Sequence, residues 1–351
     1  MTQGARDGNP LLTYPLATPG EGSFVPVAPG VWWVRLALAG PLAHINVWAL
    51  EEGEGWTLVD TGVGSEATIA AWEALLAQEP FARRLRRVIV THMHPDHIGM
   101  AGWFTRRFGV QLWMSRLEYL TCRVTASDTG REPPPDAMAF YRAAGWDDAA
   151  LAAYRQRFGR FGRYIQPMPD SYRRLRDGER IRIGDDEWEV VTGNGHSPEH
   201  ACLYCAGRRL LISGDQVLPR ISSNVSVQPM EPGANPMADW LASLEKLRSR
   251  VPDDVLVLPA HNECFRGLHA RLRQLETGQH EALDKLRERL REPRRVVDCF
   301  VALFRRTIEP GDASLLGMAT GETVACLNWL IARAEAVRWI ERDVAWYRMA
   351  N

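Results

Sequence analysis

Short apolar runs and longer amphipathic stretches alternate along the chain. Residues 31–37, 44–50 and 56–60 are apolar runs separated by Gly and Pro, which predicts three short strands in an antiparallel meander. Ser65 precedes an amphipathic stretch and is typical of a helix N-cap. The run RVIVT at 87–91 is β-branched and apolar, which predicts a buried strand followed by a helix.

The strand pattern is interrupted once and then returns. Residues 110–115 predict a further strand, whereas the segment from about 116 to 176 is mostly helix-forming and rich in Arg. Later strands are predicted at 180–183, 187–193, 202–205, 209–215 and 254–261, with a helix from about Met237 to Arg250. Residues up to 115 and from 177 to 261 are therefore predicted to form two halves of one αβ/βα core, an α/β fold with a helical insertion at about 116–176.

The pattern changes again after about residue 264. Residues 265–351 are almost wholly helical, and VRWIERDVAWYRM near the end of this segment is strand-like. Two helices and a short hairpin in this order predict a small winged-helix-like domain. The predicted division is therefore a catalytic domain at 1–264 and a C-terminal domain at 265–351. A nucleic-acid substrate is disfavoured, but it stays open because a winged helix can bind nucleic acid.

Composition narrows the class of protein without naming a reaction. The 351 residues carry a net charge of -1, so the chain has no general polyanion-binding character. No stretch reaches the roughly 18 apolar residues that a membrane span needs, which predicts a soluble, cytoplasmic protein without membrane contact. The six cysteines are scattered, which favours reduced thiols, and Cys202 and Cys205 are predicted to lie on opposite faces of a strand.

The segment THMHPDH holds the densest chemistry of the chain. His92, His94, Asp96 and His97 fall within six positions and follow a predicted strand, where α/β folds commonly build ligand sites. Imidazole and carboxylate are ligands that suit Zn, Fe and Mn. The competing interpretation is chance clustering, with Asp96 capping the following helix, but three of nine histidines in six positions favours a metal site.

Three later residues extend this prediction. His196 follows the predicted strand at 187–193, Asp215 ends the strand at 209–215, and His261 ends the strand at 254–261. Scattered histidines would not fall repeatedly at strand ends. We therefore expect these side chains to complete a larger metal centre.

Five segments together resemble the metallo-β-lactamase-fold hydrolase superfamily. They are LVDTG (58–62), THMHPDH (91–97), GHSPEH (195–200), SGDQ (213–216) and PAH (259–261). The tail is similar to the winged-helix-like extension of the glyoxalase II and lactonase-like branch, through GETVACLNWLI (321–331) and VAWYR (344–348). The resemblance implies a four-layer αβ/βα sandwich and a dinuclear metal centre.

Individual roles follow from the resemblance residue by residue. It implies one metal site made of His92, His94 and His196, a second made of Asp96, His97 and His261, and a bridge at Asp215. Asp60 would hydrogen-bond ligands instead of binding metal. Asp96 would be the catalytic residue, holding a metal-bridging hydroxide and shuttling its proton. Zn is the expected ion, with Fe or Mn as alternatives.

The implied reaction is hydrolysis. An aspartate at the position of Asp215 distinguishes the chain from true class B β-lactamases and favours the thioesterase, lactonase and nuclease branches. The leading hypothesis is a hydrolase of a small thioester or ester, such as a hydroxyacylglutathione, an acyl-CoA or a lactone. A metal-dependent phosphodiesterase or ribonuclease and a non-catalytic, metal-dependent binding protein are the alternatives.

The substrate side of the site is only outlined by sequence. Ser222 and Asn224 lie in the loop after Asp215, and Tyr164 lies in an Arg-rich part of the insertion, so these three are pocket candidates for a small substrate, an anionic one being an option. An ordinary turn and a solvated helix face are the competing interpretations. His200 is interpreted as a mere neighbour of the ligands. The C-terminal helices could serve a homodimer interface.

Overall fold

Two β-sheets pack face to face in the computed structural model, which describes residues 11–304, 307–308 and 312–350. The first sheet has seven strands in chain order, antiparallel from β1 to β4 and parallel from β4 to β7. The strands are β1 Ser23–Ala28, β2 Val31–Ala37, β3 His44–Glu52, β4 Gly55–Val59, β5 Arg84–Ile89, β6 Leu112–Ser115 and β7 Arg173–Leu175.

The second sheet has five strands in the order β12-β11-β10-β9-β8, and only the β11 and β12 pair is parallel. These strands are β8 Arg180–Ile183, β9 Asp186–Gly193, β10 His200–Cys205, β11 Leu210–Gly214 and β12 Leu256–Pro259. Trp33 and Trp48 of the first sheet share one buried cluster with Leu203, Ile212 and Leu258 of the second. The interior of the sandwich therefore consists of apolar side chains from both sheets.

Helices cover the outer face of each sheet. The helices are α1 Glu66–Leu76, α2 Pro95–Ile98, α3 Ala101–Phe108, α4 Arg116–Ser127, α5 Pro135–Ala143, α6 Asp148–Arg157, α7 Pro236–Arg250, α8 Leu268–Arg289, α9 Phe300–Leu303 and α10 Ala313–Ala332. Trp72 of α1 and Phe104 of α3 pack on the first sheet, and Trp240 of α7 and Leu272 of α8 pack on the second. The result is the predicted four-layer αβ/βα sandwich.

The helical insertion packs against the C-terminal part of the chain. Met138 of α5 and Leu151 of α6 share a buried cluster with Leu286 of α8 and Leu327 of α10. The indole Nε1 of Trp146 donates a hydrogen bond of 2.9 Å to Thr320. The chain ends in a hairpin of β13 Ala336–Glu341 and β14 Val344–Met349. Helices followed by a hairpin occur as predicted, whereas the winged-helix assignment and the boundary at 264 stay predictions.

Most predicted elements coincide with observed ones. Ser65 caps α1 by accepting a hydrogen bond from the Thr68 backbone N–H at 3.2 Å. Cys202 and Cys205 lie in different buried clusters on the two faces of β10, as their spacing predicts. Two strands are absent from the sequence prediction: β1 contains Pro26, and β7 is three residues long with two arginines. Neither carries the uninterrupted apolar pattern that identifies a strand.

Contrary to the sequence prediction that no stretch is apolar enough, one helix among the described residues has the length and composition of a membrane span. By these two criteria α10 could cross a membrane, with a mean hydropathy of 1.3. Its apolar side chains, Leu316, Val324 and Leu327 among them, are instead buried in the C-terminal cluster. The helix therefore has the packing of a core helix.

Candidate metal centre

Seven side chains converge where the two sheets end side by side. His92 and His94 follow β5, whose carboxyl end lies between β4 and β6. His196 lies in the turn between β9 and β10, Asp215 follows β11, and His261 follows β12. Because parallel strands end at a common edge, residues far apart in sequence meet there. His196, Asp215 and His261 thus follow strands, as the sequence predicts, and their role as metal ligands stays a prediction.

The potential ligand atoms form two groups. In each group, the ligand atoms of the side chains lie within 4.8 Å of one another. The first group is His92, His94, His196 and Asp215, and the second is Asp96, His97 and His261. This division matches the two sites that the sequence resemblance implies, with Asp215 placed in the first.

Asp215 faces both groups, one carboxylate oxygen toward each. Its Oδ2 lies 3.4 Å from Nε2 of His196 and 3.9 Å from Nε2 of His92. Its Oδ1 lies 3.5 Å from Nε2 of His97 and 3.5 Å from Nε2 of His261. A carboxylate in this position can contact two cations at once.

The imidazole rings are oriented by hydrogen bonds at their other nitrogen. Nδ1 of His97 lies 2.8 Å from Oδ2 of Asp60, and Nδ1 of His261 lies 2.8 Å from the His44 carbonyl oxygen. A third ring, His196, places Nδ1 2.8 Å from the Asn224 carbonyl oxygen. Since these oxygens accept the Nδ1 proton, each of these rings, when neutral, presents an Nε2 lone pair to the centre.

The donor set fits divalent cations. Nε2 of His97, His196 and His261 and Oδ1 of Asp215 are buried without a hydrogen-bond partner among the described residues. Leaving several buried polar atoms without a partner costs free energy, so we expect these atoms to bind a common ligand such as an ion. Five imidazoles and two carboxylates suit Zn, Fe or Mn. These residues therefore could hold metal ions.

Burial and neighbouring charges shift pKa values in opposite directions within the cluster. Burial lowers the pKa of His92 well below its usual range and that of His94 to about 3. Burial also acts to lower the pKa of His97, but nearby carboxylates, Asp60 foremost, outweigh it and raise that pKa. For Asp96 burial is outweighed by the His97 imidazole, and its pKa falls to about 2. These shifts thus arise from burial and from imidazole–carboxylate pairing within the cluster.

Asp96 points into the centre and does not cap a helix. The residue at the N-cap position of α2 is His94, which makes no side-chain capping bond. Oδ2 of Asp96 lies 3.3 Å from Nε2 of His261 and 3.8 Å from Nε2 of His97. His94 and Asp96 are partly exposed, whereas His97 is fully buried. The centre is therefore open to solvent on the side of His94 and Asp96.

Asp60 holds the segment of residues 91–97 in place by hydrogen bonds. Its Oδ1 accepts a hydrogen bond of 2.8 Å from the Thr91 backbone N–H, and its Oδ2 accepts one of 2.8 Å from the Thr91 hydroxyl. Asp60 is 1% exposed and has a left-handed backbone with φ 62°. Together with its contact to His97, these bonds give Asp60 the orienting position that was predicted for it.

A close backbone approach fixes the helix that carries Asp96 and His97. A Cβ added at Gly99 would lie 2.4 Å from the Gly64 backbone nitrogen and 2.6 Å from the Gly62 carbonyl oxygen. The Thr61 hydroxyl donates a 2.6 Å bond to the His97 carbonyl. The segments LVDTG and THMHPDH are therefore packed together with no room for a side chain at position 99.

The structure corrects the interpretation of His200. This residue is more than a neighbour of the ligands, because its Nε2 accepts a 3.1 Å hydrogen bond from the backbone N–H of Asp215. Its ring centroid lies 4.9 Å from that of His92. His200 therefore supports the residue that faces both groups. Its position two residues before Cys202 in a strand gives no signal of this contact.

Glu118 is a buried residue of the site that sequence reasoning missed. It is fully buried, and its carboxylate accepts hydrogen bonds from the Met93 backbone N–H at 2.9 Å, the Ser197 hydroxyl at 2.6 Å and the Glu199 backbone N–H at 2.8 Å. These three donors lie close in sequence to the potential ligands His92, His94 and His196. Glu118 thus ties the loop after β5 to the turn between β9 and β10.

We expect Glu118→Ala to lower the free energy of unfolding by about 3 to 5 kcal/mol, because three donors, two of them in buried hydrogen bonds, lose their acceptor. Urea denaturation of the metal-free protein measures this change. Glu73→Ala, which removes an exposed carboxylate on α1, serves as the control and should change the unfolding free energy by less than about 0.5 kcal/mol. Equal urea midpoints for Glu118→Ala and the wild type would contradict the prediction.

The three pocket candidates have different surroundings. Asn224 reaches the centre through its carbonyl oxygen, the partner of His196. Tyr164 is 49% exposed, and its carbonyl oxygen accepts a 2.7 Å hydrogen bond from the Gly64 backbone N–H. It therefore lies beside the loop that follows β4. Ser222 is half-buried in the loop after Asp215. Their role toward a substrate stays a prediction.

Comparison with known proteins identifies the class. The family model of the metallo-beta-lactamase superfamily matches residues 40–261. The chain belongs to this superfamily, whose members are metal-dependent hydrolases. The matched range ends at His261, so it includes both groups of ligand atoms.

Three similar proteins extend this result. A beta-lactamase domain protein from Burkholderia ambifaria is 38% identical, with a TM-score of 0.88 over 97% of this chain and 100% of that chain. A metallo-beta-lactamase family protein from Thermus thermophilus is 25% identical, with a TM-score of 0.74 over 93% of this chain and 100% of that chain. The acyl-coenzyme A thioesterase MBLAC2 of Homo sapiens is 26% identical over 67% of this chain and 79% of its own length. The two structural similarities extend beyond the matched family range.

Proposed function

We propose that this protein is a dinuclear metal-dependent hydrolase of small thioesters or esters, with acyl-CoA and hydroxyacylglutathione thioesters as the first choice and lactones next. The observation that carries the proposal is the position of Asp215, whose two oxygens each face one group of imidazoles. A carboxylate shared in this way suits two ions close together. That arrangement is the one needed to activate water beside a polarised carbonyl.

In this proposal the two ions have separate ligands. His92, His94 and His196 would hold one ion, Asp96, His97 and His261 would hold the other, and Asp215 would contact both. When bound, the ions lower the pKa of coordinated water and polarise the substrate carbonyl. Zn is the proposed metal, with Fe and Mn as alternatives, because the same ligand set accepts all three.

Asp96 is the proposed catalytic residue. Its carboxylate lies on the partly exposed side of the centre, so it can accept a hydrogen bond from the attacking water while it remains near His261. A carboxylate that accepts the water's proton can deliver it to the departing thiolate or alkoxide. The proton balance of hydrolysis is then met by one side chain.

Two features support a thioester with an anionic carrier. The human relative is named an acyl-coenzyme A thioesterase. Arg163 and Tyr164 are exposed on a segment whose backbone is bonded to Gly64, in the loop after β4, and, through Gln166, to Gly99, which directly follows α2. A guanidinium exposed on this segment suits the phosphates of CoA or the carboxylates of glutathione. We therefore propose that this segment and Asn224 border the substrate.

The proposal predicts metal-dependent thioester turnover. Zn-, Mn- and Fe-loaded protein is assayed with an acyl-CoA, S-lactoylglutathione, a lactone, a phosphodiester and single-stranded RNA. We expect thioester hydrolysis that a chelator abolishes and added metal restores, and a lower KM for acyl-CoA than for the uncharged N-acetylcysteamine thioester of the same acyl group.

The other substrates of this panel separate the alternatives. Protein that holds two ions and cleaves no thioester, ester or lactone would contradict the proposal. Phosphodiester or RNA cleavage alone would favour the nuclease alternative. Absence of turnover on all substrates would favour a metal-dependent binding protein.

A further inference from the structure

Helix α10 reaches the loop that follows Asp215. We call residues 221–228 the 221–228 loop. The carboxylate of Glu322 in α10 accepts a hydrogen bond of 2.9 Å from Nδ2 of Asn224 in this loop. The two residues are 98 positions apart in the chain. A side chain of the C-terminal helix thus contacts a residue whose own carbonyl oxygen contacts a potential metal ligand.

The contact continues from Asn224 to His196. The carbonyl oxygen of Asn224 lies 2.8 Å from Nδ1 of His196, and Nε2 of the same ring lies 3.4 Å from Oδ2 of Asp215. The Ser226 hydroxyl donates to Oδ1 of Asn224. Because Oδ1 accepts and Nδ2 donates, both ends of the amide have partners and its orientation is fixed.

The backbone of α10 is also held against the 221–228 loop. The Val227 N–H donates a 3.0 Å bond to the Gly321 carbonyl oxygen. A Cβ added at Gly321 would lie 2.8 Å from Cβ of Ser226 and 2.8 Å from the carbonyl oxygen of Val227. Glu322 therefore approaches Asn224 from a helix turn that has little freedom to shift.

The position of Glu322 in its helix is unusual. It is the only charged residue among the twenty of α10, which is otherwise an apolar core helix. The side chain lies in a half-buried position. A carboxylate that loses water in this way needs a compensating hydrogen bond, and Asn224 supplies it. Packing alone would be met by an uncharged residue.

We propose that Glu322 is a positioning residue that acts through Asn224 on His196 and so couples the C-terminal helix to the first group of ligand atoms. This inference rests on the proposed function, because it requires that His196 bind metal. Glu322 holds the Asn224 amide, the amide holds the 221–228 loop, and the Asn224 carbonyl keeps the His196 ring directed at Asp215. Partners of this kind change metal affinity by about 10- to 100-fold when they are removed.

The test measures zinc affinity by competition with a chelator, together with the zinc content of each variant. We expect Glu322→Ala to lower the affinity for one of the two zinc ions by about tenfold. Glu322→Gln keeps an oxygen that can accept from Asn224, so it should stay within about threefold of the wild type. Glu341→Ala, an exposed change on β13, is the control and should leave both affinities unchanged.

A second pair of variants, Asn224→Asp alone and together with Glu322→Gln, makes the test independent of whether Glu322→Ala folds. Asn224→Asp places two carboxylates together and should weaken zinc binding by about tenfold or more. Adding Glu322→Gln to Asn224→Asp lets the new amide donate to the new carboxylate, and zinc affinity should recover.

Three results would overturn the inference. They are wild-type zinc affinity in Glu322→Ala, an equal loss in Glu322→Gln and Glu322→Ala, or no recovery in the double variant. If the wild-type protein binds no zinc, iron or manganese, the proposed function itself is overturned. If the wild type binds metal and one of the three results occurs, only this inference fails.

Discussion

Replacing Asp215 by Asn is expected to lower kcat/KM for thioester hydrolysis by at least about a thousandfold, or about 4 kcal/mol of transition-state stabilisation. Asn has the same shape but offers only one oxygen. Its Nδ2 would face either His92 and His196 or His97 and His261, which lie 3.4 to 3.9 Å from the two oxygens of Asp215. An amide nitrogen is a donor and cannot bind a cation there.

Metal content distinguishes loss of a ligand from loss of the fold. We expect Asp215→Asn to retain fewer zinc ions per chain than the wild type while its circular dichroism spectrum is unchanged. Asp284→Asn, the same substitution at an exposed position of α8, is the control and should keep full activity. Two zinc ions and wild-type kcat/KM in Asp215→Asn would contradict both the bridge and the mechanism built on it.

The sandwich is predictable from sequence because most of its strands are short runs that are apolar or alternate between apolar and polar residues. The predicted run at 31–37 coincides with β2, and that at 180–183 with β8. Predicted and observed ends differ where a ligand follows a strand: the run to Asp215 ends as a strand at Gly214. Asp215 is the next residue, and its side chain faces the two groups of imidazoles.

The metal centre is predictable because its residues are of types that bind metal and because they recur at the ends of strands. Imidazole and carboxylate at four strand ends form a pattern that can be recognised without coordinates. Glu118 and His200 lack such a pattern. Glu118 lies on an ordinary amphipathic helix, and its partner Ser197 is 79 residues away. Only the packing of α4 against the turn between β9 and β10 gives its carboxylate a role.

The insertion shows a second limit of sequence reasoning. The seven arginines of residues 155–176 suggest a charged lid, but charge alone does not say what a segment packs against. In the structure Arg173 stacks on Trp113 at 4.0 Å and pairs with Glu179, whereas Arg163 is exposed. The aromatic residues Tyr141 and Trp146 pack with α10. Tertiary contacts therefore leave only part of this charge available to a ligand.

Asp60→Asn is expected to weaken metal binding by the group of Asp96, His97 and His261 by about 10- to 100-fold, and kcat/KM with it. Asn keeps an oxygen for the Thr91 backbone N–H and tolerates the left-handed backbone at φ 62°. Its Nδ2 would face Nδ1 of His97, now 2.8 Å from a carboxylate oxygen. Two donors then oppose each other, or the His97 proton moves to Nε2, where it blocks the cation.

Zinc affinity measured by chelator competition checks this result, and a matched control exists on the hairpin. Asp343 also has a left-handed backbone, at φ 66°, and is exposed. Asp343→Asn therefore makes the same chemical change in the same backbone conformation, away from the centre, and should leave zinc affinity unchanged. If Asp60→Asn holds both ions as tightly as the wild type, the orientation of His97 does not depend on the Asp60 carboxylate. The ring must then be held by its packing and by the Thr91 hydroxyl, which lies 3.3 Å from its Nδ1.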